Sequence, residues 1–188
     1  MKQIPKTFSS TTEYLKSFTV PLVEETHADL LSSMKTISHS LCCKIQHVKQ
    51  SKDFKPPKDL FYDLFVSESG AREDNGKAYE PESGDLIAIT SARPKHAKDL
   101  ERSYVVAYVL GVNENRTRLS VLSSKPVFAE EFARGNERGS SLFAINLINL
   151  NTNVRIWHAL TSDPNERNMN VIEKVLQTKF IVRFWFCH

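Results

Sequence analysis

Between Tyr79 and Phe128 three β-type apolar runs follow one another at short intervals, and few folds accommodate that pattern. Pro81-Glu82-Ser83-Gly84-Asp85 spells a turn, and Leu86-Ile87-Ala88-Ile89-Thr90 after it has the length and branching of a buried strand. Tyr104 to Val112 and Leu119 to Leu122 are two further runs, joined by the hairpin-type turn Asn113-Glu114-Asn115-Arg116. Three strands in succession predict an antiparallel meander or a small barrel.

The flanking residues read as additions to that sheet. Ser9 to Thr12 offer hydroxyl caps to a short helix through Tyr14, Leu15 and Phe18, and Pro21 suits a fresh helix start. Val23, Leu30, Met34 and Ile37 recur at helical intervals and form one apolar stripe, with Glu24, Glu25 and Asp29 placed early where the helix dipole favours negative charge. The stripe contains no apolar run long enough for a bilayer, so it must cover the chain's own sheet or a neighbouring domain. Leu41 to Val48 alternates, with Leu41, Cys43, Ile45 and His47 on one face, and predicts a first strand before a charged linker, Lys49 to Lys58. Leu60 to Val66 predicts a second strand, and Ser67 to Lys77 a polar loop. Past Phe128, Ala129 to Phe132 suits a helical turn, Arg134 to Ser141 a loop and Leu142 to Leu150 another strand. Thr152 is placed to cap a helix carrying Val154, Ile156, Trp157 and Leu160, and a second helix carries Met169, Ile172, Val175 and Leu176. The last ten residues, KFIVRFWFCH, concentrate bulky apolar side chains.

Charge is uneven along the chain. The whole carries +3, yet Arg93 to Lys125 holds seven basic residues (Arg93, Lys95, Lys98, Arg102, Arg116, Arg118, Lys125) against three acidic ones, leaving −1 for the remainder. A local excess of this kind favours a polyanion such as nucleic acid, whereas its bland alternative is a solvated ring of loops. Met1 to Ser10 is polar, without the apolar core of a secretory signal, which predicts an intracellular protein. Three cysteines are then expected to stay reduced, and Asn115-Arg116-Thr117 to be a chance match to the glycosylation triplet.

Recognisable catalytic patterns are missing from the sequence. A phosphate cradle needs glycine-rich backbone followed by Lys and Ser or Thr; the one Gly-Lys pair, Gly76-Lys77, is followed by Ala78 and has Ala71 where the first glycine belongs. His39, Cys42, Cys43 and His47 are the metal-like cluster, but on a strand Cys42 and Cys43 point to opposite faces, and Cys43 to His47 spans about 13 Å, too far for one ion. Glu130-Glu131 and the Asp99, Glu101 pair lack a nucleophile. Trp157 and Trp185 have rings suited to base stacking, although Trp157, at helical spacing with Val154 and Leu160, reads as core. No enzymatic activity, metal or cofactor is expected.

Four blocks carry a wider resemblance: SFTVPLVEETHADLLSSM (Ser17 to Met34), FKPPKDLFYD (Phe54 to Asp63), YEPESGDLIAIT (Tyr79 to Thr90) and NVRIWHAL (Asn153 to Leu160). In order and spacing they resemble the N-terminal region of plant senataxin-like helicases of superfamily 1, over about residues 8 to 177. The resemblance implies an accessory element of an ATP-dependent RNA or DNA helicase, in which a helical stalk packs on the motor and a β-barrel flanks the nucleic-acid path. It departs from the family where KFIVRFWFCH follows Gln177 in place of the motor, so helicase activity is not carried over.

The expectation is therefore an α+β fold, a small, mainly antiparallel barrel with an N-terminal helical stalk and C-terminal helices. Its parts are a stalk at 1–40, a barrel at 41–150, helices at 151–178 and an atypical apolar tail at 179–188. Candidate phosphate contacts are Lys95, Lys98, Arg102, Arg116, Arg118 and Lys125; candidate partner contacts are Val23, Leu30, Met34 and Ile37. The expected partners are single-stranded RNA or DNA and, alternatively, a helicase motor domain or another protein, with no membrane. The expected compartment is intracellular, the nucleus ahead of the cytoplasm. A truncated product without independent function is the remaining alternative.

Overall fold

The computed structural model describes residues 4–5, 7–51, 60–67, 79–91, 93–94, 104–127 and 142–162. Six strands, β1 (Cys42–Gln50), β2 (Phe61–Val66), β3 (Asp85–Thr90), β4 (Tyr104–Val112), β5 (Arg118–Ser123) and β6 (Leu142–Asn149), close into a barrel in the order β1-β2-β5-β4-β3-β6. Every pairing is antiparallel. Closure leaves none of these six strands with a free edge for another chain to extend. Strand alternation sends one set of side chains inward: Cys43 and Ile45, Tyr62, Leu64 and Val66, Ile87 and Ile89, Val105, Ala107 and Val109, Leu119 and Val121, and Ala144 form one buried cluster. Each large aliphatic among them contributes on the order of 1.5–3 kcal/mol by leaving water.

The expected α+β barrel is present, and its departures from simple alternation have local causes. A register shift between Ile45 and His47 inserts one residue into β1. Val48 therefore packs against the interior cluster, while His47 is exposed, the reverse of the sequence expectation. The same strand continues to Gln50, so the charged linker begins later than its composition suggests, and Leu41 is exposed just before it. The Asn113–Arg118 turn closes β4 onto β5 through backbone bonds, with Asn113 Oδ1 accepting from the amides of Thr117 and Arg118 at 2.8 Å each. Arg116 takes the left-handed backbone there, at φ 54°.

By internal contacts the chain forms two compact units, one of residues 29–151 and one of residues 1–28 with 152–188. The first contains the barrel and the final turns of α2 (Thr19–Lys35) with the 3₁₀ turn Ile37–His39. There Ile37, 2% exposed, joins Ala88, Ile145 and Leu147 on the barrel's outer wall, with Leu30, Met34, Cys42, Tyr104 and Phe143 packed around them. Three of the four stripe residues thus cover the chain's own sheet. Val23, the fourth, is 53% exposed.

In the second unit, Ser10 caps α1 (Thr11–Ser17) by accepting from the Glu13 amide at 3.1 Å. Glu13 reaches back to the backbone and hydroxyl of Ser9, the hydroxyl bond above all holding its carboxyl below the usual range. Phe8, Tyr14 and Phe18 stack edge to face at centroid distances of 5.0 Å. The second helix starts at Thr19 rather than Pro21, which falls in its first turn where a missing N–H costs nothing, and Glu24 and Glu25 lie beyond that turn. Helix α3 (Asn151–Thr161) begins one residue before the expected cap; Asn149 Oδ1 accepts from the Asn151 amide at 3.0 Å. Trp157 on it is 41% exposed, not core, because α3 buries none of its residues fully. Asn153 donates to Thr26 Oγ1 at 2.6 Å. The expected elements at 129–141 and 163–178 and the tail at 179–188 lie outside the described residues.

Candidate functional site

The strand registers sort the candidate cations onto two ends of the barrel. One end holds the start of β1, β3 and β5 and the close of β2, β4 and β6; the other holds the opposite termini. Arg116 and Arg118 lie at the first end, in and after the β4–β5 turn. Lys125 lies two residues past β5 at the second, about 23 Å of extended chain from Arg118. Lys95, Lys98 and Arg102 fall outside the described residues. The excess of charge that is continuous in sequence is therefore divided in space.

The two arginines at the first end do different work. Arg116 is exposed and pairs with the exposed Glu80, an ion pair that solvent screens and that contributes little to stability. Arg118 donates through Nη2 to Asp63 Oδ2 at 2.9 Å, and Ser120 Oγ donates to Oδ1 of the same carboxylate at 2.9 Å. The Asp63 side chain is 7% exposed while that of Arg118 is 42% exposed. A charge buried to that degree is retained only with such partners. Arg118 thus neutralises Asp63 through Nη2 while its side chain stays partly in solvent.

Across the outer wall of β1, β2 and β5, the pairing His47↔Phe65↔Arg118 forms one row and Lys49↔Asp63↔Ser120 the next. The His47 and Phe65 rings lie 5.9 Å apart with a 37° tilt. Lys44, on the same wall of β1, and Lys49 are both exposed and have no ion-pair partner among the described residues. Over these three strands the cations are Lys44, Lys49 and Arg118, and the one anion, Asp63, is buried and paired. Within the closed barrel β2 and β5 lie opposite β3 and β6, which the last turns of α2 cover, while β1 borders β6 directly. Sequence reasoning missed Lys44, His47, Lys49 and Phe65. The alternation of Lys44 with buried Cys43 and Ile45 signals an outward lysine, but the bulge that turns His47 outward leaves no mark in the residue pattern.

A second polar cluster explains the Tyr79–Thr90 block. Asp85, 4% exposed, accepts from the Tyr79 hydroxyl at 2.7 Å, the Glu82 amide at 2.9 Å and Asn149 Nδ2 at 2.8 Å. Burial, reinforced by the Asp85 carboxylate, pushes ionisation of the Tyr79 phenol far above its ordinary value. Gly84, at φ +91°, lets Asn151 come close enough to donate to the Ser83 carbonyl at 2.7 Å; a Cβ there would meet the Asn151 carboxamide at 2.2 Å. These groups consume one another's hydrogen-bonding capacity, so the block is a clasp joining the start of β3 to the end of β6 and offers no free acid or base.

Other chemistry finds little support in the geometry. No group of three metal-ligating side chains occurs among the described residues. Cys43 is buried inside the barrel, its thiol pushed up to about 12 by desolvation first and by neighbouring Cys42 second, which keeps it protonated and unreactive. No helix among the described residues is long and apolar enough to cross a membrane. Residues 1–183 match the family described as Domain of unknown function (DUF6469), and the chain belongs to that family. No curated protein matches it.

Proposed function

We propose that this member of the family is a non-catalytic accessory module that associates with nucleic acid and serves beside the motor of an ATP-dependent, senataxin-like helicase, in the nucleus. The observation that carries the reading is the outer wall of β1, β2 and β5, where Lys44, Lys49 and Arg118 surround an aromatic ring and the sole anion is already neutralised. Such a surface attracts a polyanion at close range, because its cations act without a competing exposed carboxylate on the same strands. The stalk-and-barrel resemblance of the sequence supports the same role. Catalysis is assigned elsewhere, since the sequence holds no phosphate cradle.

Fluorescence anisotropy of the full chain with labelled single-stranded RNA and DNA tests the reading. Affinity should fall as salt rises, by about 0.7 in the logarithmic slope for each phosphate engaged on a single strand. Absence of salt-dependent binding at low ionic strength would overturn the proposal. A second reading, a protein-interaction module that docks on a helicase motor or another protein, draws on Val20 and Val23, exposed to 48% and 53% in α2. A partner recovered equally after nuclease treatment, and lost on Val23→Asp, would favour it.

A further inference from the structure

Resting on the nucleic-acid reading above, we infer that Phe65 is a stacking platform for an unpaired base, with Lys49, Lys44 and Arg118 holding the flanking phosphates, so that the barrel engages single strands through its β1–β2–β5 wall rather than through its end loops. Stacking on an aromatic ring is indifferent to base identity, whereas a duplex keeps its faces covered; a platform of this kind therefore selects for unpaired strands.

Three features of the wall converge on that ligand. Phe65 projects outward between two strands whose opposing residues, His47 and Arg118, are themselves planar and able to stack, and the His47 ring already lies 5.9 Å from it. Lys49 is in the adjacent row, two residues along the pairing and so about 7 Å away, on the scale of one nucleotide step in an extended strand. The charge is complementary: Asp63 directly opposite Lys49 has both oxygens occupied by Arg118 and Ser120. The bulge at His47 is what makes the surface. Without it strict alternation would turn His47 and Lys49 toward the interior and Val48 toward solvent, so the wall would lose one ring and one cation.

Arg118 has a double duty here, since its contact with Asp63 fixes the guanidinium beside Phe65 with part of its surface in solvent. It is therefore unsuitable as the test residue; its loss would leave Asp63 buried and unpaired. Phe65→Leu, which retains apolar bulk without a stacking face, and Lys49→Ala are the informative variants. The probe is a labelled oligo(dT) and oligo(U) of about 12 nucleotides, a length within the site size of a small barrel. Phe65→Leu should weaken binding about ten-fold with the salt slope unchanged, and Phe65→Trp should restore it. Lys49→Ala should lower the slope by about 0.7, with a smaller effect on affinity at high salt. Thermal melting of each variant verifies that the fold is retained. Binding at wild-type strength by a folded Phe65→Leu variant would overturn this assignment, whatever Lys49→Ala does, while leaving the nucleic-acid role intact. Failure of the unmodified chain to bind either oligomer at low salt would overturn both. Equal affinity for a duplex of the same length would overturn the single-strand selectivity.

Discussion

Replacing Asp85 by Ala should expose the clasp between β3 and β6 as the barrel's principal polar fastening. The carboxylate accepts three hydrogen bonds, at 2.7, 2.8 and 2.9 Å, from Tyr79, Asn149 and the Glu82 amide. Asn149 is exposed and finds water when its acceptor goes; the Tyr79 hydroxyl is in a residue only 4% exposed and does not. An unsatisfied buried donor costs about 1–3 kcal/mol and the half-buried Glu82 amide roughly 1 more, so the loss should be about 2–4 kcal/mol. Tyr79→Phe removes the donor but leaves the carboxylate with two partners, and should cost about 1 kcal/mol. In the double variant no hydroxyl is orphaned, and the two effects should fall short of additivity by about 1–2 kcal/mol. Urea unfolding followed by circular dichroism and by tryptophan fluorescence supplies the four stabilities, with agreement between the two probes checked first because the chain forms two compact units. A coupling below about 0.5 kcal/mol, or an Asp85→Ala cost under about 1 kcal/mol, would refute the view that Asp85 acts by holding a buried donor.

Other substitutions probe the remaining claims. Gly84→Ala should destabilise by about 2–3 kcal/mol, since it forces a side chain into the left-handed region and onto the Asn151 carboxamide; Asn151→Ala in the same chain should recover part of that loss in the same unfolding assay. Arg118→Glu should cost on the order of 3 kcal/mol by setting a second carboxylate against buried Asp63, whereas Arg116→Glu, in an exposed pair with Glu80, should change thermal stability by less than about 1 kcal/mol. Stability should also fall in alkali. Burial holds the Cys43 thiol protonated up to about 12 and Tyr79 protonated beyond its ordinary 10.0, while the unfolded chain releases both protons earlier. The stabilisation that both groups provide at neutral pH is therefore lost as pH rises, Cys43 acting from its ordinary value of 9.0 to about 12 and Tyr79 from about 10 upward, each at up to about 1.4 kcal/mol per unit. Cys43→Ala should flatten the lower part of that decline in pH-dependent urea titrations and Tyr79→Phe the upper part.

Much of the architecture is legible from residue order alone because burial imposes period. Leu86 to Thr90, Tyr104 to Val112 and Leu142 to Asn149 announce themselves by branched apolar side chains at strand spacing, and the Ser83-Gly84 turn by the one residue that tolerates its backbone. The stripe of Leu30, Met34 and Ile37 likewise states that a helix must cover something. Trp157 shows the limit: helical spacing predicts which side chains share a face, not whether that face is covered, and this one is substantially exposed.

The candidate site was far less legible. Charge counted along the chain grouped Arg116, Arg118 and Lys125, but antiparallel pairing carries β5 from one end of the barrel to the other and separates them. Conversely Lys49, Phe65 and Arg118 lie on three different strands, distant in sequence, and only register brings them to one wall. A single inserted residue in β1 decides that His47 joins them. Sequence by itself determined the strands, the turns and the covering helix, because those follow from local conformational preference and burial. Tertiary structure alone decided which charges are neighbours, since strand pairing sets distance by register and not by position along the chain.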